Sequence, residues 1–170
     1  LDDTVTVNGI PYSTLAMFTV SKDDDEQFLI GRKLTGLSLL QAVSVPRAAK
    51  SRLAHAHRKQ PHQQGHPVAT MEVTYAGEEI LDVPVRIGIH TNGSDVPLRG
   101  SRLWEGAGSL STATVEAGPD TQHLYRLDWH NPHPERTIKS IRFYATDPSV
   151  RWWIAGLAAI NRPKKKDLDQ

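Results

Sequence analysis

Residues 68–75 read Val68-Ala69-Thr70-Met71-Glu72-Val73-Thr74-Tyr75. Ala69, Met71, Val73 and Tyr75 fall on one side of an extended chain, and Thr70, Glu72 and Thr74 on the other. A period of two is that of a strand with one face in a core and one in water. Gly77 then supplies a turn, and residues 80–89 repeat the pattern with Val83, Val85, Ile87 and Ile89 on one face. Pro84 interrupts that second run. It has no N–H for a ladder, so the strand belongs at a sheet edge or a bulge.

Working outward, residues 123–129 place Tyr125, Leu127 and Trp129 on one face, and residues 137–145 alternate Ile141 and Phe143 with Arg142 and Tyr144. Residues 152–160 are apolar on both faces, and the aromatic start and Gly156 favour a strand there. Further strands are expected at 4–7, 28–30, 37–45 and 51–57, with loops at 21–26, 58–67, 91–98, 105–119 and 130–135. No helix of three turns is expected. Eight or more short strands with Gly, Pro and Asn punctuation predict an all-β fold, an antiparallel two-sheet β-sandwich of jelly-roll type. Residues 1–162 read as one domain and 163–170 as a tail or linker. The start at Leu1 reads as a segment cut from a longer protein.

Composition narrows the function classes. The chain has 170 residues, a net charge of +1 and no cysteine, which excludes disulfides, thiolate zinc sites and cysteine nucleophiles. No stretch of 18 apolar residues is present to span a membrane. The only dense basic run, Lys164-Lys165-Lys166, reads as a solvated tail, so no nucleic-acid partner is expected. The nucleophile elbow, the zincin helix motif and the phosphate-binding loop are missing. The 19 carboxylates cannot be paired from sequence, and the domain is read as non-catalytic.

Two clusters invite a metal. On a strand, His55 and His57 share a face, with a third ligand available from His62 or His66. The competing reading makes the first two hydrogen-bonded residues of the sandwich and the others solvated. Asp23-Asp24-Asp25-Glu26 reads as a solvated acidic turn, and its spacing is not that of an EF-hand. No cofactor is required. A structural calcium stays open, because sandwich modules often carry one.

The aromatics bear on sugars, whose C–H faces stack on indole rings while their hydroxyls seek polar partners. Trp104 borders a Gly/Ser-rich loop, and Trp129 ends a strand before His130-Asn131-Pro132. Trp152 and Trp153 are adjacent, so a strand points them to opposite faces. Core packing is the competing reading for each. In the segment Asn131-Pro132-His133-Pro134 the two prolines hold their predecessors extended and stiffen the link between strands, which needs no ligand to explain it.

Several segments in order carry a resemblance. They are residues 67–79, Val85-Arg86-Ile87-Gly88-Ile89, Leu103-Trp104-Glu105-Gly106, and Leu124-Tyr125-Arg126-Leu127-Asp128-Trp129-His130-Asn131-Pro132-His133-Pro134 leading into Ile138-Lys139-Ser140-Ile141-Arg142-Phe143. Together they resemble the galactose-binding-like modules attached to large bacterial glycoside hydrolases and to multidomain surface proteins of planctomycete type. The likeness covers residues 50–160 and extends loosely to Val7-Asn8-Gly9-Ile10-Pro11. The chain departs from the pattern at 91–98, which lacks the usual Trp, and at Leu53-Ala54-His55-Ala56-His57, where small residues replace bulky ones. The resemblance implies a secreted or cell-surface location and no catalytic activity.

The expectation is a non-catalytic carbohydrate-binding or carbohydrate-associated module of a larger secreted protein. Its partners would be a polysaccharide or oligosaccharide and a neighbouring catalytic domain. Trp104 and Trp129 would stack on the sugar, and Arg86, Asn92 and Asn131 would bind its hydroxyls. The alternatives are a structural domain packed against a catalytic neighbour and, further off, a small metal-dependent enzyme using the histidine cluster.

Overall fold

The computed structural model describes residues 4–7, 9–13, 17–59, 65–94, 110–115 and 123–160. The alternating run of residues 68–75 lies within strand β6 (His66–Tyr75), an interior strand of a four-stranded antiparallel sheet. Ala69, Met71, Val73 and Tyr75 are buried, whereas Glu72 and Thr74 are half-buried on the opposite face. The sheet runs β4 (Glu26–Lys33), β10 (Thr137–Ala145), β6, β7 (Ile80–Ile87). Pro84 pairs with Thr70 on β7, the edge strand, so its missing donor faces away from the ladder.

The second sheet runs β1 (Thr4–Val7), β2 (Ile10–Ser13), β11 (Arg151–Ala159), β5 (Gly36–Ser44), β9 (Leu124–His130), β8 (Leu110–Val115), with β3 (Phe18–Val20) also paired to β11. Set aside β1, β2 and β8 and number the other eight strands in chain order. One sheet then holds the first, eighth, third and sixth, and the other the second, seventh, fourth and fifth. That interleaving is the jelly roll, two Greek keys wrapped on each other. The expected all-β two-sheet sandwich is what the chain forms.

The inward faces share one core. Trp129, Trp152, Tyr75, Phe143, Leu39, Met71, Ile138 and Ile141 are among its largest members, each almost fully shielded from water. Trp152 donates its indole N–H to Gln41 at 3.0 Å inside this core. The outer face of the β5 sheet is covered as well. Tyr12 passes over Gly156, where a Cβ would stand 3.0 Å from the Tyr12 Cβ. Its hydroxyl meets Ser38 at 2.7 Å, and Ser38 donates to Asp128.

One expected strand, 51–57, is instead part of helix α1 (Arg47–Lys59). Its reading as a strand rested on Leu53-Ala54-His55-Ala56-His57, but Ala, Leu, Lys and Arg dominate residues 47–59 and all favour helix. Pro46 precedes the first turn, where a proline costs no hydrogen bond. Ala49 and Leu53, four apart, face the core together. The helix is 13 residues long, which also corrects the expectation of no three-turn helix. Strand β8 lies inside the expected loop 105–119. Among the described residues no helix is long and apolar enough to cross a membrane.

Candidate functional site

The residues singled out in the sequence mostly hold the fold. Trp129 is fully buried, so it offers no face to a sugar; that reading is corrected, and its ring is core. Asn131 is buried and fully engaged. Its Oδ1 accepts from the Tyr75 hydroxyl (2.7 Å) and from the His133 N–H (2.9 Å), and its Nδ2 donates to the carbonyls of Leu34 (2.9 Å) and His133 (3.1 Å). The Arg136 guanidinium lies 4.5 Å from the centre of the Tyr75 ring, and His133 packs edge-on against it. The Asn-Pro corner is therefore a clamp between the β9–β10 loop, the β4–β5 turn and the end of β6. Both polar atoms of the Asn131 side chain are occupied twice over, which corrects its assignment as a hydroxyl partner.

Asn92 is also corrected. It is 2% exposed, its Oδ1 accepts from Gly93 N–H at 2.9 Å, and its carbonyl receives the Val43 N–H at 3.0 Å. Arg86 is half-buried and donates to the Gly65 carbonyl at 3.3 Å. After it the chain reverses at Gly88, whose φ of 84° is open to glycine at little cost. His90, in this turn, accepts the Arg86 N–H through Nδ1 at 3.2 Å. Burial, aided by the Arg86 charge, pushes its pKa down to about 4. Trp104 lies outside the described residues, as does His62.

The histidine-pair reading rested on a strand. His55 and His57 lie on α1, where residues two apart point about 200° apart around the axis and cannot share a face. His66 is on β6 and contacts Asp147 at 3.3 Å. In the acidic turn Asp25 is drawn to Arg142 at 2.7 Å. Among the described residues no three His, Asp or Glu side chains converge to hold a metal ion.

A cleft opens at the opposite end of the sandwich from the Asn-Pro clamp. Its volume is about 520 Å³. Three loops build it: Ser21, Lys22 and Asp23 after β3; Ser44 and Pro46 between β5 and α1; and Pro148 to Arg151 between β10 and β11. Two of these loops are pinned from behind. The Ser21 carbonyl accepts the Ala145 N–H (3.2 Å), the Ser21 N–H donates to Asp24 (2.8 Å), and Asp25 pairs with Arg142. Asp147 fixes the third loop. It accepts from Ser149 N–H (2.9 Å), Ser149 hydroxyl (2.6 Å) and both Arg52 Nη atoms (2.9 and 3.1 Å). Burial alone would raise the Asp147 pKa, but the bonds from Arg52 and Ser149 outweigh it and hold the carboxyl well below the usual range. Helix α1 is thereby tied to the cleft wall.

Beside the cleft stands Trp153. Arg151, Trp152 and Trp153 pair in unbroken register with Ser44, Val43 and Ala42. Alternation sends Trp152 into the core and Trp153 to the outer face, one pleat from Arg151 on the same side. Trp152 is fully buried and Trp153 half-buried. The cross-strand partners of Trp153 are Ala42 and Thr19, neither large enough to cover an indole. An aromatic ring thus adjoins a cleft whose cations, carboxylate and hydroxyls converge from three loops. The alternation of the Trp pair was legible in the sequence. The cleft was not, because its walls lie far apart along the chain. Compared with known proteins, the chain matches no family model, no curated protein and no solved structure.

Proposed function

We propose that this domain is a non-catalytic carbohydrate-binding module, working outside the cytoplasm as part of a larger protein, that holds a glycan at the corner formed by Trp153 and the adjoining cleft. The observation that carries this reading is the half-buried Trp153, two residues along β11 from Arg151, which lines a cleft with Lys22, Asp23 and Ser44 at one end of the sandwich. Stacking takes one sugar face, and planar or charged groups take the hydroxyls. The jelly-roll order and the resemblance to galactose-binding-like modules support the same reading. Isothermal titration against a polysaccharide panel tests it. Trp153→Ala should weaken binding by roughly tenfold or more, the loss of about 1.5 kcal/mol of ring contact, without lowering thermal stability much. No binding to any glycan, or binding indifferent to Trp153, would overturn it.

A second reading, a structural domain docked on a catalytic neighbour, is favoured by one observation. Leu29, 85% exposed on edge strand β4, flanks an apolar slot lined by Phe28, Leu34, Ile141 and Leu157. Leu29→Lys should leave glycan binding intact and abolish association only if this second reading holds, as measured by sedimentation with the neighbouring domain present.

A further inference from the structure

We infer that the glycan taken at this corner is an acidic one, whose carboxylate or sulfate sits between Lys22 and Arg151. The inference rests on the glycan reading above and goes further by naming the ligand's charge. The charge lining the cleft is the starting point, since cations without a carboxylate partner among the described residues also stand elsewhere, Arg32 and Lys33 on β4 among them. Arg52, Arg126, Arg136, Lys139 and Arg142 each face a carboxylate, namely Asp147, Asp128, Glu79, Glu78 and Asp25. Lys22 and Arg151 line the same cleft, are both exposed, and pair with no carboxylate among the described residues. Among the described residues Asp23 is the one carboxylate lining the cleft, so those walls carry two positive charges against one negative.

Among the described residues no aromatic ring lines the cleft. Its apolar lining is Pro46, Pro148 and Val150. Among the described residues stacking falls to Trp153, so affinity within the cleft must come from polar contacts. Hydrogen bonds to neutral hydroxyls in an open, wet cleft merely exchange for bonds to water, whereas charge-assisted bonds are roughly twice as strong. The Arg151 fork matches a planar carboxylate or a sulfate in two places, and Lys22 adds a point charge. The Ser44 hydroxyl, on the residue paired with Arg151, can donate to the same anion. Asp23 would then accept from a neighbouring sugar hydroxyl.

The test uses matched probes of one backbone each: fully methyl-esterified polygalacturonate against polygalacturonate for a carboxylate, and dextran against dextran sulfate for a sulfate. The acidic member of one pair should bind roughly tenfold tighter than its neutral partner, and which pair responds identifies the anion. That advantage should shrink as salt rises from ~0.05 to ~0.5 M. It should vanish in the double variant Lys22→Ala/Arg151→Ala with circular dichroism unchanged. A control, Arg32→Ala/Lys33→Ala on β4, removes the same net charge elsewhere and should leave the advantage in place. If the control weakens acidic binding equally, the attraction is general surface charge and the inference falls. If neutral and acidic members bind alike, the inference falls while the glycan reading stands. If no polysaccharide binds, both fall together.

Discussion

His90 makes stability depend on pH. Its ring is packed in the turn after β7, with Nδ1 accepting the Arg86 N–H, a bond that a doubly protonated imidazole cannot make. Burial and then the Arg86 charge bring its pKa from 6.5 to about 4, against a weaker opposing hydrogen bond at Pro84. A histidine depressed in the folded state binds protons first when unfolded. Its contribution is therefore fully present above pH 6.5, declines as pH falls, and is lost entirely below about 4. Linkage gives a loss of about 2 kcal/mol between pH 7 and pH 5, and about 3 kcal/mol once both states are protonated. The perturbation is His90→Asn, whose amide oxygen can replace Nδ1 as acceptor but does not titrate. Urea unfolding followed by tryptophan fluorescence at pH 7, 6 and 5 supplies the assay. The wild type should lose about 2 kcal/mol more than the variant over that range. Parallel pH profiles for the two proteins would refute the argument, as would an NMR titration of His90 centred near 6.5.

Trp129→Ala removes a fully buried ring from the main core and should cost about 3–5 kcal/mol in urea unfolding, with glycan affinity of the residual folded protein unchanged. Asn131→Ala strands the Tyr75 hydroxyl and the Leu34 carbonyl, so a loss of about 2–4 kcal/mol is expected; a thermal midpoint equal to wild type would contradict the clamp. Asp147→Ala frees Arg52 and Ser149 and unpins the cleft wall. It should destabilise by about 2–3 kcal/mol at pH 7, and faster amide exchange in residues 148–151 would mark the loosened loop.

What the sequence disclosed follows from which interactions are local. β6, β9 and β10 alternate apolar and polar residues because one face of each is wetter than the other, and that contrast is written in consecutive positions. β11 lacks it, since Tyr12 covers the outer side at Gly156, yet the chain stays extended. Residues 51–57 mimic a strand because two histidines separated by alanine alternate, while the four alanines of residues 47–59 carry the stronger, helical signal. The Asn-Pro corner was legible as a stiff link. Its partners Tyr75 and Leu34 were not, being 56 and 97 residues away. The same separation hid the cleft, whose loops 21–23, 44–46 and 148–151 meet only when β5, β10 and β11 are paired into the sandwich.

The central claim is that Trp153 and the loop-end cleft form a glycan site. The most direct measurement is chemical-shift mapping of the 15N-labelled protein, including the Trp indole N–H signals, during titration with an acidic oligosaccharide. Saturable shifts should concentrate on the Trp153 indole and on the amides of Ser21, Lys22, Ser44 and Arg151, with the Trp129 indole and the Asn131 corner unmoved. Shifts centred on the Asn131 end of the sandwich, or none at millimolar ligand, would contradict the claim.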